Sequence, residues 1–168
     1  MMIRFKSAIR AAAAGAVALL MVTPPSGAQE RTHTTASMVK RHALARKSHR
    51  LILQVNSSEP AMMNLALNNA TNVAQYYKDL GEKVSIEIVT FGPGLHMLRD
   101  DTSPVKARIE TMALSTPEIS FKACGNTQEN MSKAENKDIP LIPQAKLVKS
   151  GVVRVMELQE KGWSYVKP

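Results

Sequence analysis

The residue with the most chemistry to offer is Cys124, the single cysteine of the chain. It follows the short apolar run Ile119–Ala123 (ISFKA) and precedes Gly125, Asn126 and Thr127. A strand that hands over to a helix here sets the thiol beside unpaired N–H groups. Those groups and the helix dipole stabilise a thiolate and lower the thiol pKa. Gly125 would let a second sulfur approach closely. A nucleophilic or persulfide-bearing cysteine is one reading of this stretch. The other is a small buried hydrophobe, which is what most free cysteines are.

Few other residues compete. His96 follows the loop Gly92-Pro93-Gly94 and is a candidate partner for Cys124 if it comes within hydrogen-bond reach. Asn126 and Glu129 fit a helix cap and its third helical position. Asp100 and Asp101 precede a helix start and read as dipole partners or surface charge. His33, His42 and His49 match no helical ligand pair such as i, i+4. One cysteine excludes an intramolecular disulfide framework and any multi-cysteine zinc or iron–sulfur site. Met62, Met63, Met97, Met112, Met131 and Met156 are scattered on apolar helical faces, whereas a copper site wants clustered methionines. The chain has neither G-x-G-x-x-G nor G-x-x-x-x-G-K-[ST], so nucleotide binding has no motif support. The expectation is chemistry without metal or organic cofactor.

The elements that would position these residues alternate. Leu51–Val55 (LILQV) reads as a strand that ends in Asn56-Ser57-Ser58. Pro60 suits a helix first turn, and Met63, Ala66, Ala70, Val73, Tyr77 and Leu80 place an apolar stripe on a helix from about 61 to 80. Gly81 stops it. Val84–Phe91 (VSIEIVTF) alternates and is β-branched, a second strand. Leu95–Arg99 reads as a helical turn. Ser103 as cap and Pro104 begin a helix with Val105, Ile109, Met112 and Ala113 on one face. Ile119–Ala123 is the third strand, and Asn126 caps a short helix containing Met131 and Ala134. Pro140–Pro143 is loop and Lys146–Val148 a short strand. Ser150 caps a helix over Val152–Lys161, and Trp163–Val166 is a final strand. This β-α-β-α-β-α-β-α-β order argues a mostly parallel sheet with helices on both faces. In such a sheet, ligands and reactive groups gather beyond the carboxyl ends of the strands.

Charge divides the chain into three parts. Residues 1–28 hold Arg4, Lys6 and Arg10 and no acid. Ala11–Val22 is an apolar run, and Thr23–Ala28 (TPPSGA) breaks it and ends in small residues. This is the pattern of a secretory signal peptide cut after Ala28. The run is too short for a comfortable membrane span, so no stable membrane insertion is expected after cleavage. Residues 29–50 form a polar tail with six basic residues against Glu30. Residues 51–168 carry 13 basic and 13 acidic residues, so the net charge of +8 lies wholly outside the folded candidate. A neutral domain with 4% aromatic residues offers neither the basic face nor the stacking platforms of a nucleic-acid binder.

The stretch Phe121-Lys122-Ala123-Cys124-Gly125-Asn126-Thr127, followed by the segment from Ser150-Gly151-Val152-Val153-Arg154 to Gly162-Trp163-Ser164-Tyr165-Val166, resembles the DsrE/DsrF-like sulfur-relay family. The Gly92-Pro93-Gly94 loop resembles its exported members, and the likeness covers about Leu51 to Pro168. It implies a three-layer α/β/α fold with a mainly parallel five-stranded sheet, usually built into trimers or hexamers. It also implies that Cys124 carries a persulfide and passes sulfur from a donor to an acceptor thiol, with Gly125, Asn126, Thr127 and His96 as supporting residues. The export leader implies a periplasmic protein, unlike the cytoplasmic relay members. The alternative from another class is a non-catalytic small-ligand-binding or assembly module in which Cys124 only packs.

Overall fold

A computed structural model describes residues 48–168; the signal peptide expected over 1–28 and the part of the expected tail before Ser48 lie outside the described residues. The described chain is a five-stranded parallel sheet covered by helices on both faces, a three-layer α/β/α fold. Its elements are β1 (Ser48–Val55), α1 (Pro60–Asp79), β2 (Lys83–Thr90), a 3-10 helix (Gly92–Leu98), α2 (Lys106–Ser115), β3 (Ile119–Cys124), α3 (Gly125–Glu135), β4 (Ala145–Val148), α4 (Gly151–Glu160) and β5 (Ser164–Val166). The strands lie in the order β4-β3-β2-β1-β5, every neighbouring pair parallel.

That order decides where the helices go. Strands β1 to β4 step across the sheet in one direction, and β4 to β5 returns over the whole sheet. Right-handed crossovers then put α1, α2 and α3 on one face and α4 alone on the other. The packing agrees. On the first face Met63, Leu67 and Ala70 of α1 and Ile109 of α2 meet Leu53, Ile88 and Phe121, all in one core cluster. On the second face Val155 and Leu158 of α4 cover Ile52 and Val89, with Phe91 and Trp163 against them. Alternation along each strand sorts its side chains between these two cores.

Several boundaries differ from the sequence reading. β1 begins at Ser48 rather than Leu51, because His49 is held there: its ring stacks on Tyr77 at 3.7 Å and its Nε2 lies 2.6 Å from Glu82 Oε2. Residues 48–50 are therefore strand, not tail. Ser103 does not cap α2, which starts at Lys106. Its hydroxyl donates to the Met97 carbonyl at 2.6 Å and accepts the Val105 N–H at 3.4 Å, forming a turn instead. Met63, Met97 and Met112 are core, whereas Met156 is 54% exposed.

The strand ends fit together closely. A Cβ on Gly94 would lie 2.1 Å from the Val55 carbonyl oxygen, so only glycine lets the 3-10 helix cross the end of β1. No helix among the described residues is long and apolar enough to cross a membrane.

Candidate functional site

Strands β3 and β4 are neighbours, yet the helices that follow them go to opposite faces. In open parallel sheets such a reversal opens a crevice beyond the strand carboxyl ends, where ligands bind. Cys124 stands there, the last residue of β3, paired in register with Val148 at the end of β4.

Cys124 is also the N-cap of α3, with extended φ −74° and ψ 117°. The helix starts two residues earlier than the sequence suggested, so Asn126 lies in its first turn beside Thr127 instead of capping it. Asn126 is exposed, and its N–H donates to the Lys149 carbonyl at 3.2 Å, tying α3 to the residues before α4. Gly125 packs under this link: a Cβ there would meet the Val148 and Lys149 carbonyl oxygens at 3.3 and 3.4 Å.

The start of α4 comes closer still. A Cβ on Gly151 would lie 3.2 Å from Cys124 Cβ and 2.8 Å from Phe91 Cδ1. The bare backbone at Gly151 thus brings the N-terminus of a second helix onto the same sulfur.

The electrostatics follow from this placing. Burial pushes the Cys124 thiol pKa up. Against it act the Thr127 hydroxyl, then the N–H groups of Gly151, Thr127 and Asn126, and the net value falls below the ordinary 9.0. Asn126, the least of the four, already shares its N–H with Lys149. The neutral thiol makes no cap hydrogen bond of ordinary geometry, so these donors act on the charge that ionisation creates. Two helix dipoles pointing positive ends at one group reinforce that preference.

Thr127 is held in turn. Its Oγ1 accepts the Gly92 N–H at 3.0 Å, which leaves its own O–H proton free to face the sulfur. The loop Gly92-Pro93-Gly94 thereby orients a group next to Cys124. His96 is not brought to the site. Its Nδ1 lies 2.8 Å from Thr102 Oγ1, and it is not among the groups acting on the sulfur.

Cys124 is 4% exposed, yet it belongs to neither apolar core cluster. A cleft of about 590 Å³ runs beside it, lined by Asn126, Val148, Lys149, Ser150, Arg154 and their neighbours; Cys124 itself does not line it. Arg154, on the wall of this cleft, ties α4 to β2 through a two-pronged pair with Glu87, at 3.0 and 2.6 Å.

No protein-family model matches the chain, and no curated protein matches it. The fold has a solved counterpart. It is a protein of unknown function, MTH1491, from Methanobacterium thermoautotrophicum, 28% identical, with a TM-score of 0.59 over 71% of this chain and 99% of that one.

Gly151 and Gly92 are the parts of the site that local sequence patterns did not point to. The pairing Ser150-Gly151 at a helix start was the available signal, since a small residue at a first helical position permits close approach. What the pattern does not carry is that β4 lies beside β3, the fact that aims α4 at Cys124.

Proposed function

We propose that this protein is an exported sulfane-sulfur carrier of the DsrE/DsrF-like type, acting in the periplasm as a homo-oligomer, with Cys124 as the sulfur-bearing residue. The observation that carries the reading is the convergence of donors from two helix N-termini on one thiol. A packing cysteine needs no such donors, because its S–H is nearly apolar.

The chemistry balances without a redox partner. The Cys124 thiolate attacks the outer sulfur of a donor such as thiosulfate; the S–S bond of the donor breaks and sulfite leaves with the electron pair. The new terminal sulfur is a persulfide anion, held by the donors that hold the thiolate. An acceptor thiolate then attacks that outer sulfur, and Cys124 departs as thiolate again. The Thr127 hydroxyl and the Gly151 N–H make Cys124 both a better-ionised nucleophile and a better leaving group.

The test is intact mass spectrometry of the full chain after incubation with thiosulfate or polysulfide. One added sulfur, about 32 Da, is expected on Cys124, and no gain in Cys124→Ser. An unmodified wild type whose Cys124 also resists alkylation in the native state would reject the proposal.

One observation favours the second reading, a binding or assembly module with an inert cysteine: the residue is 4% exposed and stands outside the lining of the adjacent cleft. That reading expects Cys124→Ser to leave stability, oligomer and ligand binding unchanged.

A further inference from the structure

A second cavity lies far from Cys124 in the fold, at the other side of the sheet. Because β5 sits beyond β1, and α1 is the last helix on that face, no described residue covers the β5 side chains there. The result is a groove of about 420 Å³ between α1 and the β1–β5 edge. That volume is within the usual range of small-molecule sites.

Its composition is specific. The floor is apolar, from Leu51, Leu53 and Val166. The overhanging wall is one flank of α1, where Asn69, Asn72, Val73 and Tyr76 follow i, i+3, i+4, i+7 spacing. Tyr76 is 61% exposed at the rim and stands edge-on to Tyr77, with ring centres 5.2 Å apart; Tyr77 in turn stacks on His49. The carboxamides of Asn69 and Asn72 have no side-chain hydrogen bond among the described residues.

Charge argues for the kind of guest. The lining contains no carboxylate. His49 is bonded to Glu82. Arg50 borders the groove, but alternation places it with Ile52 and Gln54 on the opposite face of the sheet. An anion would find only Arg50 at the groove's border, and a cation would find no anion in the lining. The stretch 40–47 that leads into β1 carries Lys40, Arg41, Arg46 and Lys47, which suits it poorly to an apolar floor.

We propose that this groove binds a small, uncharged, planar aromatic molecule bearing one or two hydrogen-bonding substituents. Its ring lies on the Leu53–Val166 floor beside Tyr76, and its polar edge meets the Asn69 and Asn72 carboxamides.

The probe is 2-naphthol, uncharged at neutral pH, titrated into the isotope-labelled full chain and followed by NMR. Saturable shifts are expected at residues 69–77 and 164–166 and at the Asn69 and Asn72 side-chain amides, with Kd on the order of 1 mM or tighter. The carboxylate analogue 2-naphthoate is expected to bind at least about tenfold more weakly. Val166→Trp fills the groove and abolishes the shifts. Tyr76→Ala, at an exposed position that the fold tolerates, weakens binding about fivefold. Shifts scattered elsewhere, equal binding of the carboxylate, or wild-type binding by both variants would overturn the proposal. So would sedimentation data showing that a second copy buries the groove and excludes the probe.

Discussion

Helix α3 buries a polar group at each end, and the two are compensated differently. At its C-terminal end the Arg99 guanidinium, 1% exposed, meets whole charges. Its Nε and Nη2 reach both oxygens of Asp101 at 2.9 and 2.8 Å, and its Nη1 and Nη2 reach both oxygens of Glu135. Lys137 closes the set on Asp101 at 3.0 Å and Glu135 at 3.3 Å, giving two cations and two anions. At the N-terminal end Cys124 meets only hydroxyl and N–H dipoles. Whole charges fix one protonation state and make a lock, which is structural. Partial charges favour an ionised state without forcing it, which suits a group that must change its state.

The comparison breaks most visibly at the lock. Arg99→Ala is expected to lower unfolding free energy by about 3 kcal/mol, the low end for a broken buried pair. Water already reaches the carboxylates, at 27% and 35% exposure, which keeps the loss there. Urea unfolding measures it. Acid probes the same cluster: hydrogen bonds from Arg99 hold Glu135 at about 2, below the ordinary 4.5 of a glutamate, and Asp101 is held lower still. Depressed carboxylate values contribute stability that is complete above about pH 4.5 and fades as pH falls toward 2. The acid unfolding limb should therefore fall across that window in the wild type and flatten in Arg99→Ala.

The other end should respond in reactivity more than in stability. Gly151→Ala forces a Cβ within 3.2 Å of Cys124 Cβ and 3.1 Å of Phe91 Cβ, contacts that no rotamer change of Phe91 relieves. Overpacking of this kind costs about 2 kcal/mol. The displaced α4 start also withdraws its N–H, so native-state alkylation of Cys124 should slow while Arg99→Ala leaves that rate within about twofold. Should Arg99→Ala slow alkylation as much as Gly151→Ala does, the two ends of α3 are one cooperative unit and the contrast fails.

Thr127→Val keeps the shape and removes the hydroxyl. The midpoint of the alkylation-rate profile should move to higher pH, so the rate at neutral pH falls. Thr127→Ser should restore it, since the Gly92 N–H can still orient a hydroxyl there.

How much of this was legible beforehand depends on how local each feature is. The β-branched runs and the α1 stripe repeat within a few residues, so the element order and the parallel α/β fold were readable. Cys124 at the end of β3 was readable for the same reason. The helix start after it was misplaced by two residues, because Asn126 has cap chemistry while Cys124, with little, occupies the cap through sheet geometry. Ser48–Arg50 looked like tail because strand formation there rests on His49 meeting Tyr77 and Glu82, partners 28 and 33 positions away. Gly151 was missed for a longer-range reason still: only the strand order sets α4 on the face opposite α3, and that order is a property of the whole sheet.

His96 supplies the smallest expected effect and a useful control. It follows the Gly92-Pro93-Gly94 loop at the end of β2, and that place suggested a partner for Cys124. Its Nδ1 is engaged with Thr102, and it is not among the groups that act on the sulfur. His96→Ala should therefore change the Cys124 alkylation rate by less than about twofold at any pH, well under the tenfold that one pKa unit represents. A rate that instead fell severalfold would mean that the ring swings to the thiol as it reacts. The dipole account of Cys124 would then give way to a cysteine–histidine pair.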